Sequence, residues 1–126
     1  MEGGMFTGTN YLLARKMLDY TTLRQEALAS NLANVEVAGY RRIDVSPDFQ
    51  TELNKAVGSG KAEDISNLQP KLAADLTTRS TRGDGNNVEM DRELMAMNSN
   101  ATDQEYVIRY LNYNFQLTRT AITSQS

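Results

Sequence analysis

Most enzyme sites need a side chain that moves a proton near neutral pH or acts as a nucleophile. This chain has no histidine and no cysteine. Ser-His-Asp and Cys-His catalysis are therefore excluded, with most zinc sites. A phosphate-binding loop requires G-x-x-x-x-G-K-[ST]. Here Gly60-Lys61 is followed by Ala62, and Lys55 stands where the first glycine belongs. Gly83-Asp84-Gly85 lacks the third glycine of a dinucleotide-binding turn. Asp84, Asn86 and Val88 imitate the start of a calcium loop, but Val88 cannot ligate and no glycine follows it. A solvated turn before a helix is the better reading. Glu89, Asp91 and Glu93 read as acids in or near the first turn of that helix, where they complement its dipole. Arg79 and Arg82 have Asp84 beside them, which favours a solvated loop over an anion site. Tyr106, Tyr110 and Tyr113 fall on one flank of a helix. They would make a stacking surface for bases, or, more simply, contact a neighbouring helix with area and a polar tip. The chain is expected to be no enzyme and to hold no metal or cofactor.

The elements that carry these residues are better defined. The longest is the stretch Leu94 to Ile122. Steps of three and four along it visit Leu94, Met97, Ala101, Gln104, Ile108, Leu111, Phe115, Thr118 and Ile122. Seven of these nine stops are apolar, the seam of a helix that packs on another helix. At about 1.5 Å per residue that seam runs roughly 43 Å, so it needs a partner of similar length. A C-terminal helix is expected over 88–124, capped by Asn87 or Asp91. The partner is a pattern free of Gly and Pro over 10–36. One of its stripes is Ala14, Leu18, Thr21, Gln25, Leu28, Leu32 and Val35; a second is Leu13, Met17, Tyr20 and Ala27. Asn10 is expected to cap its start, and Asn31, Asn34 and then Gly39 to mark its end. Residues 1–9 are expected to fray.

Between the long helices lies an irregular middle, 37–86. Tyr40 to Val45 is β-leaning. Ser46 and Pro47 announce a short helix over 47–57 that Gly58 should stop. Ile65, Leu68, Leu72 and Leu76 have helix-like spacing, but Pro70 interrupts it, so loop with short strands is expected for 61–86. The fold expected is all-α: a single domain, 1–126, whose two long amphipathic helices pair as a coiled-coil-like hairpin. Net charge is −3. Basic and acidic residues number three and four over 1–40, seven and seven over 41–86, and three and five over 87–126. No segment is a basic patch, so a nucleic-acid partner has no electrostatic support. No apolar run reaches the length of a membrane span, and the start lacks a secretory h-region.

One stretch is familiar. Leu23 to Glu36 reads LRQEALASNLANVE and is followed by Gly39-Tyr40. It resembles the N-terminal signature of the flagellar rod, hook and filament-joining proteins, S-N-[IL]-A-N-x-x-x-x-G-Y. The matching positions are Ser30, Asn31, Leu32, Ala33, Asn34, Gly39 and Tyr40. Arg42-Ile43-Asp44, Asp48-Phe49 and the run Asn86 to Glu93 resemble segments of the short rod members of that family. The resemblance implies a structural subunit of the proximal rod, the periplasmic part of the drive shaft that transmits torque. It implies export by the flagellar type III apparatus through an uncleaved N-terminal signal. The partners it implies are other rod subunits and the membrane ring or its adaptor. The assembly seam would then be Leu94, Met97, Ala101, Ile108, Leu111, Phe115 and Ile122, with Leu18, Leu28, Leu32 and Val35. In one place the chain departs: relatives usually carry Thr-Pro before the Gly-Tyr, and here Val37-Ala38 leaves that turn without a fixed φ. A soluble hairpin adaptor or export chaperone that binds a partner helix is the alternative.

Overall fold

A computed structural model describes residues 8–80 and 82–125. The fraying expected at the start falls, for residues 1–7, outside the described residues. The chain is mostly helical, with long N- and C-terminal helices. Helix α1 spans Thr9–Ala33. Gly8, not Asn10, stands at its cap position, and no side chain caps it there. The helix ends three residues before the expected Glu36, and hydrogen bonding explains why. The Asn34 side-chain amide donates to the Ser30 carbonyl at 2.8 Å, competing with the helical ladder. The carbonyls of Asn34, Val35 and Val37 then converge on one amide, Asn86 Nδ2, at 3.0, 3.1 and 2.8 Å.

The middle holds more structure than its sequence announces. Strand β1, Ile43–Val45, is followed by helix α2, Asp48–Ser59. Ser46 Oγ accepts the Asp48 N–H, while Pro47 occupies the cap position. Gly58 does not stop α2. Gly60 does, at φ +73° with its N–H on the Val57 carbonyl. A one-turn helix α3, Ala62–Ser66, comes next, then strand β2, Leu72–Ala74. The two strands pair antiparallel, Ile43 with Ala74 and Val45 with Leu72. This small sheet pairs the β-leaning stretch after Tyr40 with a short strand of the 61–86 segment, within a chain that is otherwise mostly helical.

The apolar core lies here. Val45, Phe49, Leu53, Ala56 and Ile65 are buried, and Leu12, Leu13, Met17, Tyr20 and Leu23 of α1 close over them. Tyr20 and Phe49 stack at 5.9 Å. Burying a side chain the size of Phe49, Leu53 or Ile65 contributes roughly 1.5–3 kcal/mol each. The stripe Leu13, Met17, Tyr20 thus serves the middle segment.

Helix α4 spans Met90–Gln125 and packs along α1 on a face adjacent to the one that covers the middle segment. It starts after residue 88 because Asn86 and Asn87 spend their side chains elsewhere. The direction is antiparallel: Glu93 reaches Asn31, Asn100 reaches Thr21 and Gln25, and Gln104 reaches Thr22. The face turned to α1 differs from the one expected. Glu93, Asn100 and Asn114, seven residues apart or multiples of it, are at most 2 % exposed. Met97, Gln104 and Leu111 are half-buried beside them. Leu94, Ala101, Ile108, Phe115 and Ile122 are exposed. Each residue turns a helix by about 100°, so rows one residue apart face different ways. The rotation is set by Glu93, whose carboxylate is drawn to Arg42 and Asn31. The contact is polar enough that Asn100 Oδ1 and both amide atoms of Asn114 are buried without a partner.

Candidate functional site

The residues with the most demanding polar chemistry gather at the C-terminal end of α1. Asn31 is fully buried there. Its Oδ1 accepts the Ile43 N–H at 2.9 Å and its Nδ2 donates to the Ile43 carbonyl at 2.8 Å. One amide side chain thereby pairs with a strand residue as a second strand would. The same Oδ1 accepts the Tyr40 hydroxyl at 3.1 Å, and that hydroxyl lies 3.3 Å from Ser30 Oγ. Gly39 stands at φ +76°, a conformation that glycine adopts without the Cβ clash of other residues. Its N–H donates to the Asp84 carbonyl at 2.8 Å.

Arg42 is the hub. Its Nε bonds Glu93 Oε1, its Nη1 donates to Asp75 at 2.8 Å, and its Nη2 to Asp44 at 3.2 Å. Arg24 of α1 takes the other Asp44 oxygen at 3.2 Å. Asn87 Oδ1 accepts the Arg42 N–H at 2.6 Å, and Asn87 Nδ2 donates to the Thr78 carbonyl. Burial works against the Arg42 charge, but its bonds to Glu93 and Asp75 and the field of Asp44 outweigh it, raising its pKa above the ordinary value. Asp75 is held well below the usual carboxylate range. Desolvation opposes that, and donors on Thr78, Thr77 and Arg42 overcome it. Asp84 is lowered too, first by the Asn86 N–H and then by Arg82.

A cavity of about 250 Å³ opens beside the hub, lined by Arg24, Arg42, Asp44, Asn87, Arg92 and Glu93 among others. Asp44, Asp75 and Glu93 each already accept an arginine bond. The chemistry available is therefore fixing, not proton transfer: two guanidinium groups and three carboxylates tie α1, β1, the segment after β2 and the start of α4 into one unit. Breaking such a buried pair from one side costs about 3–5 kcal/mol, because the other charge is left stranded. Among the described residues no cluster of acids is arranged to hold a metal ion, and no helix is long and apolar enough to cross a membrane.

The signature residues Ser30, Asn31, Asn34, Gly39 and Tyr40 all meet in this junction. Leu32 is half-buried beside it, and Ala33 is exposed. Of the seam residues on the first helix, Leu28 is buried and Leu18 half-buried. Val35 is half-buried in the turn past the helix end. On α4, Met97 and Leu111 are half-buried and Leu94, Ala101, Ile108, Phe115 and Ile122 exposed, as above. Glu93 departs from the helix-start role expected of it, since it is buried against Arg42. Arg24, Asp75, Asn100 and Asn114 carry no motif. Only Arg24 has a sequence signal, a charged residue on the stripe of Leu13, Met17, Tyr20 and Ala27.

No family model matches the chain. Individual curated proteins do. A flagellar basal body rod protein FlgB from Proteus mirabilis (strain HI4320) is 30% identical over 114 residues, covering 78% of this chain and 82% of that protein. The protein of that name from Buchnera aphidicola subsp. Acyrthosiphon pisum (strain APS) is 31% identical over 100 residues, covering 69% of this chain and 74% of its own. That from Escherichia coli (strain K12) is 33% identical over 95 residues, with 63% and 67% covered. Two helices locked by a polar junction, and relatives of this identity and extent, lead to one assignment: the chain belongs to the family of the flagellar basal body rod protein FlgB.

Proposed function

We propose that this chain acts as one rod-protein domain in the proximal, periplasmic part of the flagellar rod. Rod subunits are structural, and the chain's place is the flagellar basal body. In this reading α1 and α4 work as a coiled-coil-like hairpin, and the apolar row of α4 packs on neighbouring subunits so that torque passes from chain to chain. Export through the flagellar type III apparatus without a cleaved signal belongs to the same reading, as do the membrane ring or its adaptor as partners. The relatives do not favour the hairpin adaptor or chaperone.

The observation that carries the proposal is the orientation of α4. Its polar row faces α1, while Leu94, Ile108, Phe115 and Ile122 are 43, 42, 62 and 65 % exposed. An apolar row of that length on a single helix calls for cover by another chain. Ile108→Asp tests it. A carboxylate at the middle of the row would be desolvated on assembly at a cost of several kcal/mol. Motility and the subunit content of isolated basal bodies should both fall. Arg109→Asp, one residue outside the row, should do less harm. Normal assembly of Ile108→Asp would remove the row from the interface.

A further inference from the structure

We propose that α4 has two seats on α1 within a single chain, and that the pair of Glu93 and Arg42 is the latch that selects between them. With the latch closed the aliphatic row of α4 faces outward. With it open, α4 turns and α1 itself covers the row. The inference concerns one chain and stands apart from the rod reading.

The two seats share a column of side chains. On the face that α4 turns to α1, Glu93, Asn100, Val107 and Asn114 alternate with Met97, Gln104 and Leu111. All seven are buried or half-buried, and their spacing of four and three is a heptad seam. Moving the first set on by one residue gives Leu94, Ala101, Ile108 and Phe115. With the same Met97, Gln104 and Leu111 these make a second heptad seam. The exchanged columns flank the shared one on its two sides. Neighbouring residues stand about 100° apart around a helix, so a turn of about half that angle carries α4 from one seam to the other. No sliding along α1 is needed.

Packing favours the seat that is not taken. Three of the four exchanges bring an apolar residue in for a polar one, and the fourth brings Ile108 in for Val107. The present seam holds three buried side-chain atoms without a hydrogen-bond partner, Asn100 Oδ1 and Asn114 Oδ1 and Nδ2. All three lie in the column that the turn returns to solvent, where water satisfies them. The opposing face of α1 suits either seam, since Ala14, Leu18, Thr21 and Leu28 on it are small or aliphatic. Resistance to the turn is concentrated at one end. Glu93 Oε1 bonds Arg42 Nε, and Oε2 accepts the Asn31 amide at 3.3 Å. The Asn100 amide adds its bonds to the Thr21 carbonyl and Gln25. Release of Glu93 does not strand Arg42, which keeps Asp44 and Asp75. These are the parts of a two-state element: a strained polar seam, an apolar seam beside it, and one charged pair that decides.

The chain has no native cysteine, so Ala101→Cys supplies a single reporter thiol of nearly unchanged size. Ala101 is exposed with the latch closed. Maleimide labelling of the reporter is timed on dilute monomer, alone and combined with Glu93→Ala, and circular dichroism follows helix content. Glu93→Ala should keep its helix content and slow labelling about tenfold, because new local contact protects the thiol. Glu93→Gln leaves an oxygen for Arg42 and should label near the unaltered rate. Ile108→Asn added to Glu93→Ala removes the apolar gain and should restore fast labelling with the helices intact. Loss of fold speeds labelling, so slowing cannot arise from it. Unchanged labelling of Glu93→Ala at full helix content would overturn the inference. So would its unfolding, since either result means that no second seat receives α4. Equal slowing in Glu93→Gln would overturn the latch.

Discussion

Asp75 concentrates five bonds on one carboxylate. Arg42 Nη1 and Thr78 Oγ1 donate to Oδ2 at 2.8 and 2.7 Å; the N–H and Oγ1 of Thr77 and the N–H of Thr78 donate to Oδ1. All five favour the ionised form. The folded pKa therefore lies below the value of about 3.9 that an unfolded aspartate shows. A depressed carboxylate stabilises the fold at every pH above its unfolded value, and that contribution is lost as pH falls toward the folded one. Thermal melts should be level from about pH 8 to pH 5 and should fall below about pH 4. Asp75→Asn keeps the shape but loses the charge that Arg42 needs. It should melt lower than wild type at pH 7 and fall less steeply in acid. Parallel acid limbs for the two proteins would mean that Asp75 is not the group responsible.

At the scale of elements, the turn after α1 shows how the family signature works. The Tyr40 N–H closes on the Val37 carbonyl at 3.2 Å, with Gly39 third in the turn at φ +76° and Ala38 second at negative φ. This is the geometry of a type II turn, in which proline suits the second position. Ala38 is exposed and its N–H makes no bond in the turn. Ala38→Pro should therefore stabilise the chain by about 0.4–1 kcal/mol, by restricting the unfolded state. Gly39→Ala should destabilise it by about 1–2 kcal/mol, although no atom lies near the added methyl, because the cost is backbone strain. Chemical denaturation of both variants checks the signs. The two long helices and the glycine turn were legible because period and punctuation are local. The end of α1 was not, since it depends on Asn86, more than fifty residues away. Helix α3 and β2 were obscured by Pro70 and by apolar residues too few to set a period. The rotation of α4 was misread for a related reason. An apolar count favours the row of Leu94 and Ile108, but one ion pair, Glu93 with Arg42, turns the row of Asn100 inward instead. Of the junction, the glycine and the asparagines were visible as a motif, while their bonding to Arg42 and Glu93 was not.

For the whole molecule, α4 is the longer helix. Its 36 residues span about 54 Å against about 38 Å for the 25 of α1. From Glu93 to Gln104 it is tied by side chains to Asn31, Gln25, Thr21 and Thr22. Beyond Phe115 it has passed the described start of its partner. Hydrogen exchange in dilute subunit should therefore run slow over Glu93 to Gln104 and fast over Phe115 to Ser124, because local opening follows local contact. In assembled basal bodies the gradient should vanish. A dilute subunit protected evenly along α4 would remove the reason to think its far end is completed by a neighbour. Such completion is what a structural rod subunit of the basal body requires, since a chain satisfied alone has nothing left to offer the next.

The bond between Arg42 and Glu93 also has a consequence in time. Half of the junction lies within the first 45 residues: Arg24, Asn31, Tyr40, Arg42 and Asp44. The other half, Asp75, Asn86, Asn87 and Glu93, follows at separations of up to 62 residues. A chain that emerges N-terminus first has Arg42 and Asp44 before it has Asp75 and Glu93, the other two carboxylates that Arg42 bonds. Contacts that distant form late, after the loop between them has been closed. The leading part of this chain is therefore kept from finishing its fold until the last third has arrived. The residues that hold the finished subunit together are the same ones that delay it.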